Sequence, residues 1–163
     1  IPVYAEAYTA DRLRTRIPYC FTEHLYPGVP HIPLRVIEEG KSFSVSNREG
    51  ESVEILPFRV MHGKLPIMGY RIGGMAWITD MLTMPEASYS CLEHLDCLVN
   101  NALRKEPHPT HQTVDEALAQ VERIQPERTF LIHASHQIGL HAEVEKELPP
   151  HVHLTYDGMV IRL

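Results

Sequence analysis

The sequence predicts an α/β domain rich in β-structure, with mainly antiparallel strands in its first half and strand–helix alternation in its second. Three observations predict it. Short alternating apolar runs, broken by glycine turns, fill residues 34–79. A capped amphipathic helix at residues 113–124 lies between apolar runs at 97–103 and 129–133. A second amphipathic stretch at 139–148 stops at Pro149-Pro150 and leads into another strand pattern. The 163 residues, 44% hydrophobic against 22% charged, are enough for one packed domain and exclude wholesale disorder.

Residues 1–5 read as a short strand. Residues 9–16 are a polar, weakly helical stretch, with Thr9 as its cap and Pro18 ending it. Three prolines and a glycine make residues 24–33 a loop. Residues 34–38 and 42–46 are short strands around Glu39-Gly40-Lys41, and residues 47–50 form a turn. The run SVEILPFRVM at 52–61 is a strand with apolar residues on both faces, so both are covered in part. Pro57 inside it implies a bulge or an edge position. Residues 67–72 and 75–79 form a hairpin about Gly73-Gly74.

Residues 85–95 are helical or irregular, and 97–103 is a buried strand interrupted by Asn100 and Asn101. A loop at 105–110 leads to the clearest helix, where Thr113 and Glu116 form the Thr-x-x-Glu capping box. A terminal hairpin is expected from residues 152–156 and 159–163 about Asp157-Gly158.

Fifteen Lys+Arg against twenty-one Asp+Glu leave a formal charge of −6. That balance argues against a non-specific nucleic-acid binder, which needs a basic face to displace counterions. No apolar run reaches the roughly 20 residues of a membrane helix. Cys20, Cys91 and Cys97 include no Cys-x-x-Cys pair, so a disulfide framework or Cys-rich zinc site is not expected and a reducing cytoplasm fits. No secretory leader is read, and the chain opens on Ile1 rather than Met, so a missing upstream part is expected.

Eleven histidines are the compositional oddity, and position decides which of them matter. His62 follows one long strand, Asp80 ends the run Trp77-Ile78-Thr79, and His133 ends the run Phe130-Leu131-Ile132. Each is a metal-competent side chain just beyond an apolar strand, where layered α/β folds hold their chemistry. Converged, two imidazoles and a carboxylate suit Zn²⁺, Mn²⁺ or Fe²⁺. The same residues also fit a structural reading, with His62 and Asp80 as turn residues and His133 as a hydrogen-bonded histidine. Spacing alone does not separate the two.

The order of these segments resembles the metallo-β-lactamase superfamily. His62-Gly63 with Gly69-Tyr70-Arg71-Ile72 is similar to its third metal motif. Thr79-Asp80 is similar to the fourth, and Ile132-His133-Ala134-Ser135-His136 to the fifth. The nearest branch holds the transfer-RNA 3′-processing endonuclease and the phosphoribosyl cyclic phosphate phosphodiesterase. The loop at 107–111 and Tyr156-Asp157-Gly158-Met159 look more like the phosphodiesterase. The resemblance implies that His62 ligates a first metal, His133 a second, and that Asp80 bridges them. It places His111 near the scissile phosphate, on the rim of the cleft, as a general acid or phosphate donor. His108 and His136 are candidates for a supporting role.

The family's His-x-His-x-Asp-His motif occurs nowhere in the chain. Residues 1–163 are therefore expected to be a single partial domain, the C-terminal part of an αββα sandwich. The implied function is hydrolysis of a small, cyclic phosphodiester by a two-metal-activated hydroxide in the intact protein. The implied cofactors are two divalent transition metals, zinc or manganese. Two ligands per site fall short of the three usual for catalytic zinc, so the fragment is expected to hold one metal or none and to be inactive alone. The alternatives are a nuclease, a thioester or lactone hydrolase, or a non-catalytic binding protein of this fold. The expected partner is a small phosphorylated substrate, with no membrane and no nucleic acid. An uncovered sheet is expected to make the fragment self-associate or form a homo-oligomer.

Overall fold

The computed structural model describes residues 1–22 and 27–162. Nine strands and three α-helices form a two-stranded sheet and a seven-stranded sheet among these residues. The strands are β1 (Val3–Glu6), β2 (Leu34–Ile37), β3 (Phe43–Ser46), β4 (Ser52–His62), β5 (Leu65–Ile72), β6 (Met75–Trp77), β7 (Cys97–Asn101), β8 (Arg128–Ile132) and β9 (Val152–Leu154). The helices are α1 (Ala7–Arg16), α2 (Val114–Ile124) and α3 (His141–Glu147).

The large sheet runs β3-β4-β5-β6-β7-β8-β9 in chain order. Pairing is antiparallel from β3 to β6 and parallel from β6 to β9. The change at β6 has a local cause. Gly73-Gly74 lets β6 fold straight back on β5, whereas each parallel neighbour is reached by a crossover: residues 78–96 before β7, α2 before β8 and α3 before β9. Those helices cover one face. Phe58, Val60, Ile78 and Leu98 of the sheet share one core with Val114, Ala117, Val121 and Val144 of the helices. All five residues of β7 are buried, as expected of a central parallel strand.

Pro57 sits where β3 has already ended, since the β3–β4 register stops at Phe43↔Ile55. Its carbonyl accepts from Gly40 N at 2.8 Å, so the missing N–H faces no strand. The proline marks a local edge within an otherwise internal strand.

Several expectations are corrected. The two short strands around Gly40 form as read but lie in different sheets: β2 runs parallel to β1 in the small sheet. That sheet faces the large one, with the Tyr4 ring stacked 4.8 Å from Phe43 and Arg59 bonded to Glu6 and Glu39. Helix α1 begins at Ala7 rather than at a Thr9 cap, and Glu6 in the cap position gives its carboxylate to Arg59. Residues 86–92 form a 3-10 segment, in keeping with the helical or irregular reading of 85–95. The terminal hairpin does not form. β9 ends at Leu154, the Asp157-Gly158 turn is present, and Met159 and Ile161 lie against Cys97, Val99 and Phe130 instead of pairing. Of the expected 24–33 loop, residues 27–33 are irregular and 24–26 lie outside the described residues, as does Leu163.

Candidate metal centre

The strand ends that the sequence singled out meet at one point. β4 ends at His62, and Gly63 turns the chain at once into β5 with φ +60°. The segment after β6 is stitched to β4, as Met61 N donates to Thr83 O and Leu82 N to Met61 O, both at 2.8 Å. This brings Asp80 alongside His62. His133 follows β8 directly. Asp80 and His133 hold φ of 59° and 61°, a region that non-glycine residues rarely occupy and that clusters at functional sites.

Asp80 Oδ1 is the hub. His111 Nε2 and His133 Nε2 each lie 3.1 Å from it. The His111 ring stacks on His133 with centroids 4.8 Å apart and meets His62 edge-on at 4.7 Å. His111 Nδ1 lies 3.1 Å from His108 Nδ1 and 2.9 Å from Thr110 Oγ1. The structure thus brings together His62, Asp80, His111 and His133, with His108 behind them. His136 is exposed, in the 3-10 turn that follows. His111 is not on the rim as expected: its side chain is 13% exposed and the cluster surrounds it. Partial burial lowers the His108 pKa, and its neighbours His111, Arg104 and His62 push it in the same direction.

Buried amides set this geometry, and the sequence reading missed their role. Asn101 grips the residue after Asp80 with both ends of its side chain. Met81 N donates to Asn101 Oδ1 and Asn101 Nδ2 donates to Met81 O, both at 2.8 Å. Met81 O also accepts from Gln112 N at 3.0 Å, and Asn100 Nδ2 donates to Gln112 Oε1 at 3.2 Å. One buried network therefore joins the loop of Asp80 to the loop of His111. The signal was two adjacent asparagines in an apolar strand, which read only as an interruption.

The donor set fits a transition metal. Ligand atoms of Asp80, His111 and His133 all lie within 4.8 Å of one another. Donors about 2.1 Å from a shared ion stand roughly 3–4 Å apart, so small side-chain adjustments suffice. Next to Asp80 a cleft of about 280 Å³ is bounded by Glu6, Tyr70 and Thr79. Among the described residues no helix is long and apolar enough to cross a membrane.

Comparison with known proteins agrees with this architecture. Residues 1–134 match the family model of the β-lactamase superfamily domain. A curated relative, an octanoyltransferase of Porphyromonas gingivalis, is 39% identical over 160 residues, covering 98% of this chain and 32% of that protein. The crystal structure of a diphosphatase from the PhnP family is 29% identical with a TM-score of 0.85, covering 99% of this chain and 58% of that one. The metallo-β-lactamase-fold protein YhfI of Bacillus subtilis is 14% identical with a TM-score of 0.71, covering 97% of this chain and 63% of that one. The chain thus spans about a third of the curated relative and less than two thirds of these structures. With most of its length matched by the family model and its fold shared with these structures, the chain belongs to the metallo-β-lactamase superfamily.

Proposed function

We propose that this chain is the C-terminal part of a metal-dependent hydrolase that cleaves a small phosphodiester, cyclic ones included. The observation that carries the reading is the convergence of His111 and His133 on the Asp80 carboxylate, with the His62 ring edge-on to His111. The likeness to a PhnP-family diphosphatase at 29% identity supports phosphate-ester chemistry. The octanoyltransferase name belongs to a protein of which this chain matches 32%.

In this reading His62, Asp80 and His133 would hold two divalent metals, zinc or manganese, with the remaining ligands from outside the chain. Bound there, such a pair clamps a phosphate and supplies a water-derived nucleophile at neutral pH. The chain's own residues do the rest. Asp80 and His133 hold left-handed backbone conformations, and Asn101 grips Met81 beside Asp80, so the ligand positions are set before substrate arrives. His111 presents Nε2 toward the carboxylate hub, where the phosphate binds, and holds the proton needed by the leaving oxygen.

The test is His111→Ala in the metal-loaded full-length protein, assayed on a cyclic alkyl phosphodiester. Turnover should fall about 10²–10⁴-fold, the scale of general acid catalysis. Metal content by elemental analysis should stay nearly unchanged. Full turnover, or loss of metal, removes His111 from this role.

A further inference from the structure

The cleft beside Asp80 is small, and its charge is one-sided. Its volume of about 280 Å³ lies below the roughly 300–1,000 Å³ of pockets for drug-sized ligands, so it takes a small group. Glu6 at the end of β1, Tyr70 in β5 and Thr79 immediately before Asp80 reach it from three segments. Among the described residues that line it, Glu6 and Asp80 carry charge, and no lysine or arginine takes part. Arg59 reaches Glu6 Oε2 at 3.1 Å, but it also holds Glu39 Oε2 at 3.1 Å. One guanidinium shared by two carboxylates leaves that cluster net negative at neutral pH.

Glu6 also stands just ahead of α1, and its side chain bonds Arg59 instead of capping the helix. A helix N-terminus attracts anions through its free N–H groups and the positive end of its dipole. Thr9, in the first turn of α1, lines the cleft as well. The Glu6 carboxylate therefore sits where an incoming anion would otherwise meet that helix end. The remaining polar groups suit hydroxyls. Glu6 spends Oε2 on Arg59, which leaves Oε1 to accept. Burial and the Glu6 charge raise the Tyr70 pKa against the opposing effect of Arg59, so its hydroxyl stays protonated and can donate. Ile67 and Met68 add an apolar wall for a carbon frame.

We propose that Glu6, Tyr70 and Thr79 form a specificity subsite that binds an uncharged, hydroxyl-bearing substituent of the phosphodiester and turns away a second phosphate. This rests on the reading of the Asp80 centre as the place where the diester is cleaved. The substrate class is then a diester of a small polyol. A hydroxyl of the substituent donates to Glu6 and accepts from Tyr70, while the reacting phosphate lies at Asp80. Glu6 is the selective element, because the carboxylate that accepts from a hydroxyl repels an anion of similar size.

Three matched substrates test this on the metal-loaded full-length protein. They are glycerol 1,2-cyclic phosphate, its deoxy analogue propane-1,2-diol cyclic phosphate, and glycerol 1,2-cyclic phosphate carrying a second phosphate on the free hydroxyl. The glycerol ester should have the highest kcat/KM, about 10-fold or more above the other two, with the difference in KM. Glu6→Gln keeps an acceptor and removes the charge. It should raise kcat/KM on the doubly phosphorylated ester about 10-fold and change the deoxy analogue little. Tyr70→Phe should lower kcat/KM on the glycerol ester about 2–10-fold and leave the deoxy analogue unaffected. Ratios between substrates within one variant cancel any loss of folded protein. Equal kcat/KM on all three esters, a preference for the doubly phosphorylated one, or unchanged ratios in Glu6→Gln overturns the subsite, while turnover itself upholds the phosphodiester reading. Hydrolysis of none of the three by the wild type removes that reading and the subsite with it.

Discussion

The side chain of Asn101 occupies no position that a sequence motif would mark, yet it fixes the residue next to the metal hub. Its two bonds to Met81 replace strand pairing for a peptide unit that is fully buried. Asn101→Leu would strip the Met81 N–H of its partner and remove one of two donors from its carbonyl, at about 1–3 kcal/mol for each group left unsatisfied. We expect a loss of about 2–4 kcal/mol by urea unfolding and a metal affinity about 10–100-fold weaker, because Asp80 is no longer held. A variant that loses stability but binds metal like the wild type would show that Asp80 is positioned by other means. The metal-competent residues themselves were legible because His62, Asp80 and His133 each terminate an apolar run. The positive φ of Asp80 and His133 was not, since nothing in a histidine or aspartate announces a strained backbone.

Elements with a local cause were read correctly, and those decided by distant packing were not. Thr113 and Glu116 form both bonds of the capping box, and α2 starts where the motif put it. The Asp157-Gly158 turn also forms, but a turn signal says nothing of where the next strand pairs. Met159 and Ile161 alternate like a strand because they lie flat on a sheet face. Edge strand β9 is closed instead by helix α3. Glu145 accepts from Leu154 N at 2.7 Å and pairs with His153 Nδ1 at 2.9 Å. Partial burial raises the Glu145 pKa, but the Leu154 amide and His153 outweigh it, so the net shift is downward. A depressed carboxyl stabilises the fold fully above its unfolded value of about 4.3, and that contribution is lost as pH falls through the lower folded value. The wild type should therefore exceed Glu145→Gln in urea midpoint at pH 6–7, with the gap closing below about pH 4. A gap that persists at pH 3 would assign the stabilisation to shape rather than charge.

At the scale of the whole molecule, the two faces of the large sheet are unequal. One is buried under α2 and α3. The other carries the small β1–β2 sheet over β3–β5 only, leaving an apolar groove of about 350 Å³ lined by Tyr4, Phe43, Ile55, Tyr70, Met75 and Trp77. Trp77 is 42% exposed and Val53 41%, unusual for large apolar residues on one sheet face. β3 lies at the end of the strand order, with one edge unpaired. In the proposed ligand assignment, Asp80 with one histidine on each side gives two ligands per ion, below the three typical of catalytic zinc. We therefore expect this chain, produced alone, to associate with a second copy through the Trp77 face and to bind fewer than two metals per chain. Sedimentation velocity should show a dimer or larger species that Trp77→Glu shifts toward monomer without changing metal content. That independence follows because Trp77 lies on the outer face, three residues before the hub it does not touch. A monodisperse monomer loaded with two metals would mean that the chain needs no partner at this face and that His62, Asp80 and His133 already suffice, and would overturn this account.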